Sequence, residues 1–334
     1  MVMRRLLDVA YIAILTGVLL ELSVRWWGYS ERYIHDPIYM SFPPSQDIPY
    51  VHKPNLVKAR ARGGAVLDTD AWGLRSRSSG TAAPKKEGEY RIAVIGDSVT
   101  FGEGVARTED TFAARLEDLL NTQQSAAKVR VFNYGVSAYS VKEMAATLQY
   151  RVGASQPDLV LMAIIPEDLG LARTPGIDRE GYFVDKRFSS SIGPDSIVRR
   201  LLRRLHLAYV IRNIVSTNNQ SGLRAVEELD GGKTPEGYAY VQRLKTLADA
   251  NHWPYAIVLL PVASSRFLSM PDRLRRDHID YLDLSSLRRE FTLEQFRAGR
   301  FDGHPSKLVH HRIAEILAGF VMKCELGRPA SAQR

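Results

Sequence analysis

Arg91 to Gly104 constrains this chain more than any other stretch. Arg91-Ile92-Ala93-Val94-Ile95 is a short apolar run of the kind a fully buried strand uses, and Gly96-Asp97-Ser98 ends it abruptly. Beyond it, Thr108, Glu109 and Asp110 give a cap and an acidic first turn ahead of Phe112, Leu116, Leu119 and Leu120 at helical spacing. Strand, glycine turn and helix put Ser98 at the carboxyl end of the strand, where open α/β sheets bind ligands. A turn serine bonded to its own backbone satisfies the same local pattern. The case for a nucleophile therefore rests on the remainder of the chain.

The rhythm of strand and helix continues past residue 120. Val129 to Asn133 reads as a second strand, running into Tyr134-Gly135-Val136-Ser137-Ala138, and Val141 to Val152 as a helix. Pro157-Asp158 opens a third strand, Leu159 to Ile165, with no polar face. Tyr238 to Asn251 predicts a helix, Tyr255 to Pro261 a fourth strand, and Ile279 to Leu284 a short fifth. Leu308, Val309, Ile313, Ile316 and Leu317 mark a final helix, which also carries His310 and His311. Histidines so placed read as surface or core residues. The alternation predicts a parallel sheet with right-handed crossovers. Between strands three and four, Arg173 to Gly237 breaks the pattern. There, Ile197 to Val215 predicts one basic amphipathic helix and Asn218 to Gly232 a loop tip. The helix reads either as packed on the core with a solvated basic face or as a cap touching anionic lipid or glycan.

Gly96-Asp97-Ser98 with Thr100 and Gly102 resembles the first sequence block of the SGNH (GDSL-like) hydrolases, a family of esterases and acyltransferases. The resemblance implies a flavodoxin-like three-layer α/β sandwich with a central parallel sheet, and it covers roughly residues 89–319. Gly135 matches the second block, whose backbone N–H contributes to holding the tetrahedral oxyanion. Asp302-Gly303-His304-Pro305 resembles the fifth block. The implied roles are Ser98 as nucleophile, His304 as its general base, Asp302 as orienter of the imidazole, and the Ser98 and Gly135 amides as oxyanion donors. No metal or organic cofactor is needed for that chemistry.

Two departures stand out. The third block, Gly-x-Asn-Asp in the family, is here Pro166-Glu167-Asp168-Leu169, so Glu167 stands where the oxyanion-hole asparagine is expected. An ionised carboxylate cannot donate and repels a developing oxyanion. Glu167 then either points away, is protonated in a dry site, or marks a site that binds without catalysing. The second departure is the aspartate, two residues before His304 rather than three, with Phe301 in the usual place. Related alginate O-acetyltransferases carry the same Asp-x-His pair.

At the amino end, Arg4-Arg5 precedes the apolar stretch Leu6 to Val24, and Arg25-Trp26-Trp27-Gly28-Tyr29 comes after it. At about 1.5 Å per residue this helix nearly crosses a hydrocarbon core of about 30 Å. The arginines favour a cytoplasmic amino end, and the aromatic cluster suits the far interface. No small-x-small cleavage site stands out, so an uncleaved signal anchor is expected over 1–28, with the domain on the extracytoplasmic, periplasmic side. Asp8 and Glu21 argue the other way, since mid-membrane carboxylates cost about 3 kcal/mol each. An amphipathic helix packed on protein or lying in the interface is the alternative.

An extended lead-in and linker is expected over 29–88, a hydrolase-like domain over 89–322 with its helical insertion at about 173–237, and a polar tail over 323–334. The proline-rich lead-in predicts short strands wrapping the core, with a flexible joint at Ser76 to Gly88. Its Trp72-Gly73-Leu74-Arg75 resembles the lead-in of membrane-anchored SGNH proteins.

The formal charge of +8 comes with no nucleic-acid-binding motif and reads as a solvated basic surface. Cys324, the single cysteine, excludes an intrachain disulfide.

The resemblance implies an extracytoplasmic, membrane-anchored serine esterase or O-acyltransferase acting on acetyl esters of an envelope polysaccharide. Its partners would be an acylated carbohydrate or other acyl ester, membrane lipid, and envelope polysaccharide machinery. A noncatalytic glycan-binding or scaffolding module, motivated by Glu167 and the shifted aspartate, and a lipid esterase are the alternatives.

Overall fold

The run at Arg91 becomes an interior strand of a five-stranded parallel sheet, paired on both sides. The computed structural model describes residues 2–30, 33–77, 84–123, 127–171, 175–185, 196–216, 236–263, 267 and 269–323. In chain order, helix α1 (Val2–Trp27) precedes five short lead-in strands: β1 (Tyr39–Met40), β2 (Val51–His52), β3 (Ala59–Arg60), β4 (Val66–Thr69) and β5 (Arg75–Ser76). The α/β core opens with β6 (Glu89–Gly96), α2 (Ser98–Phe101), α3 (Phe112–Gln123), β7 (Lys128–Gly135), α4 (Val141–Tyr150) and β8 (Leu159–Ile164). The insertion holds the hairpin β9 (Pro175–Ile177) and β10 (Phe183–Asp185), then α5 (Ile197–Leu202) and α6 (His206–Ser216). The core resumes with α7 (Tyr238–Ala250), β11 (Tyr255–Leu259), α8 (Met270–Arg276) and β12 (Tyr281–Asp283). A short helix α9 (Leu293–Phe296), the hairpin β13 (Arg297–Gly299) and β14 (Asp302–Pro305), and α10 (Lys307–Val321) complete it.

The sheet order is β12-β11-β8-β6-β7, with every pairing parallel. Counted along the chain, the five core strands lie in the order 2-1-3-4-5, the flavodoxin-like doubly wound arrangement. Alternation along β6 explains the three layers. Ile92 and Val94 face α3 and α10, while Ala93 and Ile95 face α4, α7 and α8. All six residues of β8 are buried, and each fully buried aliphatic side chain contributes about 1.5–3 kcal/mol. The winding reverses between β6 and β8, which opens a crevice at their carboxyl ends. Ser98 and Glu167 both come directly after those ends.

The lead-in forms short strands, as its composition predicts, and closes a third cluster of Ile38, Tyr39, Tyr50 and Leu67 with Phe101 and Tyr139 of the core. Residues 78–83 of the expected joint lie outside the described residues, as do the loop tip at 217–235 and the tail from 324 onward. The joint's described flanks are tied down: Arg77 pairs with Glu117 and Asp118, and Lys85 with Asp158.

The single helix expected over Ile197 to Val215 is corrected to two, α5 and α6, with a break at 203–205. Arg203 there turns onto Asp178 and Glu180 of the hairpin. The Glu21 carboxylate starts a new helix by accepting the His206 and Leu207 N–H groups at 2.9 and 2.8 Å. The carboxylate that counted against a membrane helix thus has defined partners at a helix N-terminus.

Candidate active site

Two elements from distant parts of the chain build the site. Asp97 caps α2, its Oδ1 accepting the Val99 N–H at 2.9 Å, so the chain turns sharply and Ser98 heads the helix half-buried. The β13–β14 hairpin carries Asp302-Gly303-His304-Pro305 as a strand. The sequence shows a helix after this motif but not the hairpin that aims it.

Across 206 positions of chain, His304 Nε2 lies 3.0 Å from Ser98 Oγ. On the other side of the ring, Nδ1 lies 2.6 Å from Asp302 Oδ1, which also accepts the His304 backbone N–H at 3.1 Å. A carboxylate can only accept, so Nδ1 carries the proton and Nε2 presents its lone pair to the serine hydroxyl. Asp97 Oδ2 is a second, longer acceptor for that hydroxyl at 3.3 Å. Gly104, at φ 82°, lies so close that a Cβ there would sit 2.9 Å from Asp302 Oδ2 and 2.6 Å from Ala298 Cβ. A side chain at 104 would displace the orienting carboxylate.

Sequence reasoning missed Glu103, which is 4% exposed. It accepts the Ser137 hydroxyl at 2.7 Å and lies 3.6 Å from Arg62 Nε. Burial pushes its carboxyl up, but Arg62 foremost, with His304 and the Ser137 hydroxyl, outweighs this and holds it below the usual range. Glu103 in turn acts on the base. Burial pushes the His304 imidazole down, yet Glu103 first, then Asp302 and Asp97, hold it above its ordinary 6.5. The only sequence signal for Glu103 is its nearness to Ser98, which says nothing of direction.

The expected oxyanion residues are placed unequally. Ser98 opens α2, so its N–H has no acceptor within that helix. The Gly135 N–H, by contrast, donates to Asn133 Oδ1 at 2.9 Å, and Asn133 Nδ2 donates to the Thr100 carbonyl at 2.8 Å. Gly135 is needed here for closeness, since a Cβ would sit 2.2 Å from Phe101 N. In this arrangement it braces the turn behind Ser98. The turn just beyond holds Ala138 at φ 66°, a left-handed conformation that is costly for a residue with a Cβ and that gathers at functional sites.

Glu167 lies half-buried in the 3-10 turn Pro166–Gly170 that comes after β8, while Asp168 is fully buried and accepts the Ile165 N–H at 2.9 Å. His310 is a core residue whose Nδ1 accepts the Phe112 N–H at 3.1 Å at the start of α3, and burial pushes it down to about 3. His311 pairs with Asp110 at 3.2 Å.

No family model and no curated protein sequence matches the chain. Solved structures similar to it include a two-domain esterase active on acetylated mannans, co-crystallized with mannopentaose (13% identity, 71% of this chain and 50% of that one, TM-score 0.42). The psychrotrophic esterase EstA from Pseudoalteromonas sp., inhibited by monoethylphosphonate, shares 12% identity over 70% of this chain and 97% of its own, with a TM-score of 0.42. A member of the lipolytic protein G-D-S-L family from Veillonella parvula DSM 2008 shares 13% over 72% of this chain and 100% of its own, at 0.39.

Proposed function

We propose that this protein is a serine esterase or O-acyltransferase of SGNH type, held in a membrane by α1 with its α/β domain on the extracytoplasmic side. The single observation that carries the chemistry is the line of hydrogen-bond distances from Ser98 Oγ through His304 to Asp302, 3.0 and 2.6 Å. Ser98 attacks an acyl carbonyl while His304 Nε2 takes its proton, and Asp302 stabilises the imidazolium that forms. His304 then protonates the leaving alkoxide. Water or an acceptor hydroxyl, deprotonated by the same nitrogen, releases the acyl group.

For the oxyanion, the Ser98 N–H supplies one donor and the Gly135 N–H, held at 2.9 Å from Asn133 Oδ1 in the free site, a second. The resemblance of the sequence blocks points to acetyl esters of an envelope polysaccharide. The test is acetate release from O-acetylated polysaccharide, set against fatty-acid release from phospholipid. Release from lipid alone would turn the reading toward the lipid esterase.

Two further outcomes are expected. His304 accepts a proton only when neutral, and its pKa is raised, so activity climbs with pH and reaches half its plateau above pH 6.5. Glu103→Gln keeps an acceptor for Ser137 but removes the charge that raises His304 most, so it moves that midpoint to lower pH; an unmoved midpoint would remove Glu103 from this role. Glu167→Gln is expected to raise the rate near neutral pH by turning a repelling carboxylate into a donor, an interaction typically worth about 10²- to 10³-fold. An unchanged rate would place the Glu167 side chain away from the oxyanion.

A further inference from the structure

The insertion helices are inside out. In the turn after α5, Arg203 faces the protein, 17% exposed and bound to Glu180 at 3.2 Å, and Arg200, though 57% exposed, bends back to the same carboxylate at 2.9 Å. Arg203 also pairs with Asp178 and stacks 4.2 Å over the Tyr182 ring. The opposite side is apolar and open: Ile197 is 73%, Val198 54% and Leu201 61% exposed, and Ile211 of α6 is 54% exposed. A helix in water turns its charges outward and its leucines inward, and contiguous exposed apolar surface of this kind marks an interaction site.

The occupant is indicated by where these helices are fastened. The first two N–H groups of α6 are held by Glu21 of α1, Arg25 of α1 donates to the Arg204 carbonyl at 3.3 Å, and Ser30 Oγ lies 2.7 Å from His206 Nδ1. Glu21 precedes Trp27 by six residues, about 9 Å along a helix at about 1.5 Å per residue. Interfacial helices bury to about 5–10 Å. The end of α1 is marked by an aromatic run in which Trp27 stacks with Tyr29, Tyr29 meets Tyr33, and Tyr33 stacks on Tyr209 of α6. Such rings belong at headgroup level. The open apolar face is therefore fastened to the end of α1, whose own apolar residues are exposed, over the depth where a helix end leaves the hydrocarbon.

We infer that α5 and α6 lie on the surface of the bilayer that α1 crosses, their apolar face in the lipid, and that this fixes the Ser98 site at the membrane surface. The inference rests on the reading of α1 as a membrane span. The link to the site is direct: Trp27 and Tyr29 both pack on Phe301, each at 5.2 Å between ring centroids, and Phe301 adjoins Asp302. A cavity of about 930 Å³ between α6, the lead-in and the end of α1 is bordered by Arg25, Arg62 and Arg204 and walled by Tyr33, Phe183 and Tyr209. Arg62, on its border, is the partner of Glu103.

The test uses the full chain in lipid nanodiscs, with Cys324→Ser as background and one nitroxide label at a time on Leu15→Cys, Val198→Cys, Leu201→Cys, Ile211→Cys or Tyr150→Cys. Tyr150 ends α4, at the edge of the sheet opposite Ser98. The expected result is lipid-type accessibility, oxygen over a water-soluble nickel chelate, at 15, 198, 201 and 211, with the reverse at 150. Aqueous accessibility at 198, 201 and 211 beside a lipid-type signal at 15 would overturn the inference while leaving the anchor intact. An aqueous signal at 15 would overturn both. Labels at 198 and 201 shielded from both reagents, or broadened by a second label, would assign the face to another copy of this chain and equally overturn it.

Discussion

Ser98→Ala is expected to lower acyl-ester turnover by about 10⁴- to 10⁶-fold and to abolish labelling of the protein by a fluorophosphonate. The size reflects the division of labour in the site. Without the hydroxyl there is nothing for His304 to deprotonate, and only acyl-group binding and the backbone donors remain. His304→Ala is expected to lose about as much, because an unassisted serine is a weak nucleophile at neutral pH. The double variant should lose little more than either single one, since the two residues act as a unit. Turnover on an acyl ester and intact-mass analysis after fluorophosphonate exposure read all three. Full turnover in Ser98→Ala would end the covalent mechanism. A folded native chain that takes no label would shift weight to the glycan-binding module, with Glu167 the first residue to examine.

Arg75→Ala should lower stability by about 3–5 kcal/mol, since several buried acceptors lose one charged donor together. Arg75 is 4% exposed and burial pushes its guanidinium down to about 10. The side chain donates to the carbonyls of Phe101 at 3.1 Å, Gly102 at 2.8 Å and Val105 at 2.8 Å, and to Thr108 Oγ1 at 3.3 Å. Truncation leaves those acceptors buried without their donor, each a cost of about 1–3 kcal/mol before relaxation. Glu103 sits in the same loop, so fluorophosphonate labelling should slow as well as the melting midpoint fall. Arg75→Lys should rescue little, because one ammonium cannot match a planar fork spread over several carbonyls. A midpoint shift equivalent to less than about 1 kcal/mol would show that the loop holds its shape without the lead-in.

This residue also shows how far the chain could be read without its fold. Trp72-Gly73-Leu74-Arg75 stood out in the sequence only by resemblance, and nothing in its spacing indicates that the arginine crosses to the loop behind Ser98. Glu103 was equally mute. Glu21 reads in the sequence as an argument against a membrane helix, and nothing local shows that α6 begins on it. The helix expected over Ile197 to Val215 failed at Arg203 for the same reason. Hydrophobic periodicity records which side chains prefer shelter, but the break came from carboxylates on other elements.

By itself the sequence determined the elements and their order. Buried strands ending on Gly-Asp-Ser, on Gly135 and on Pro166-Glu167 alternate with amphipathic helices, and such an alternation folds best as a parallel sheet with helices on both faces. Those are local properties, carried by period, length and breakers. Tertiary structure alone decided that Asp302 reaches His304 and His304 reaches Ser98, that Gly135 spends its N–H on Asn133, and that Arg62 and Glu103 stand beside the base. The reach from His304 to Ser98 and from Arg62 to Glu103 depends on residues far apart in the chain, set by crossovers and by the packing of layers. The two short contacts depend on how a hairpin and a turn aim their side chains. No local pattern records these.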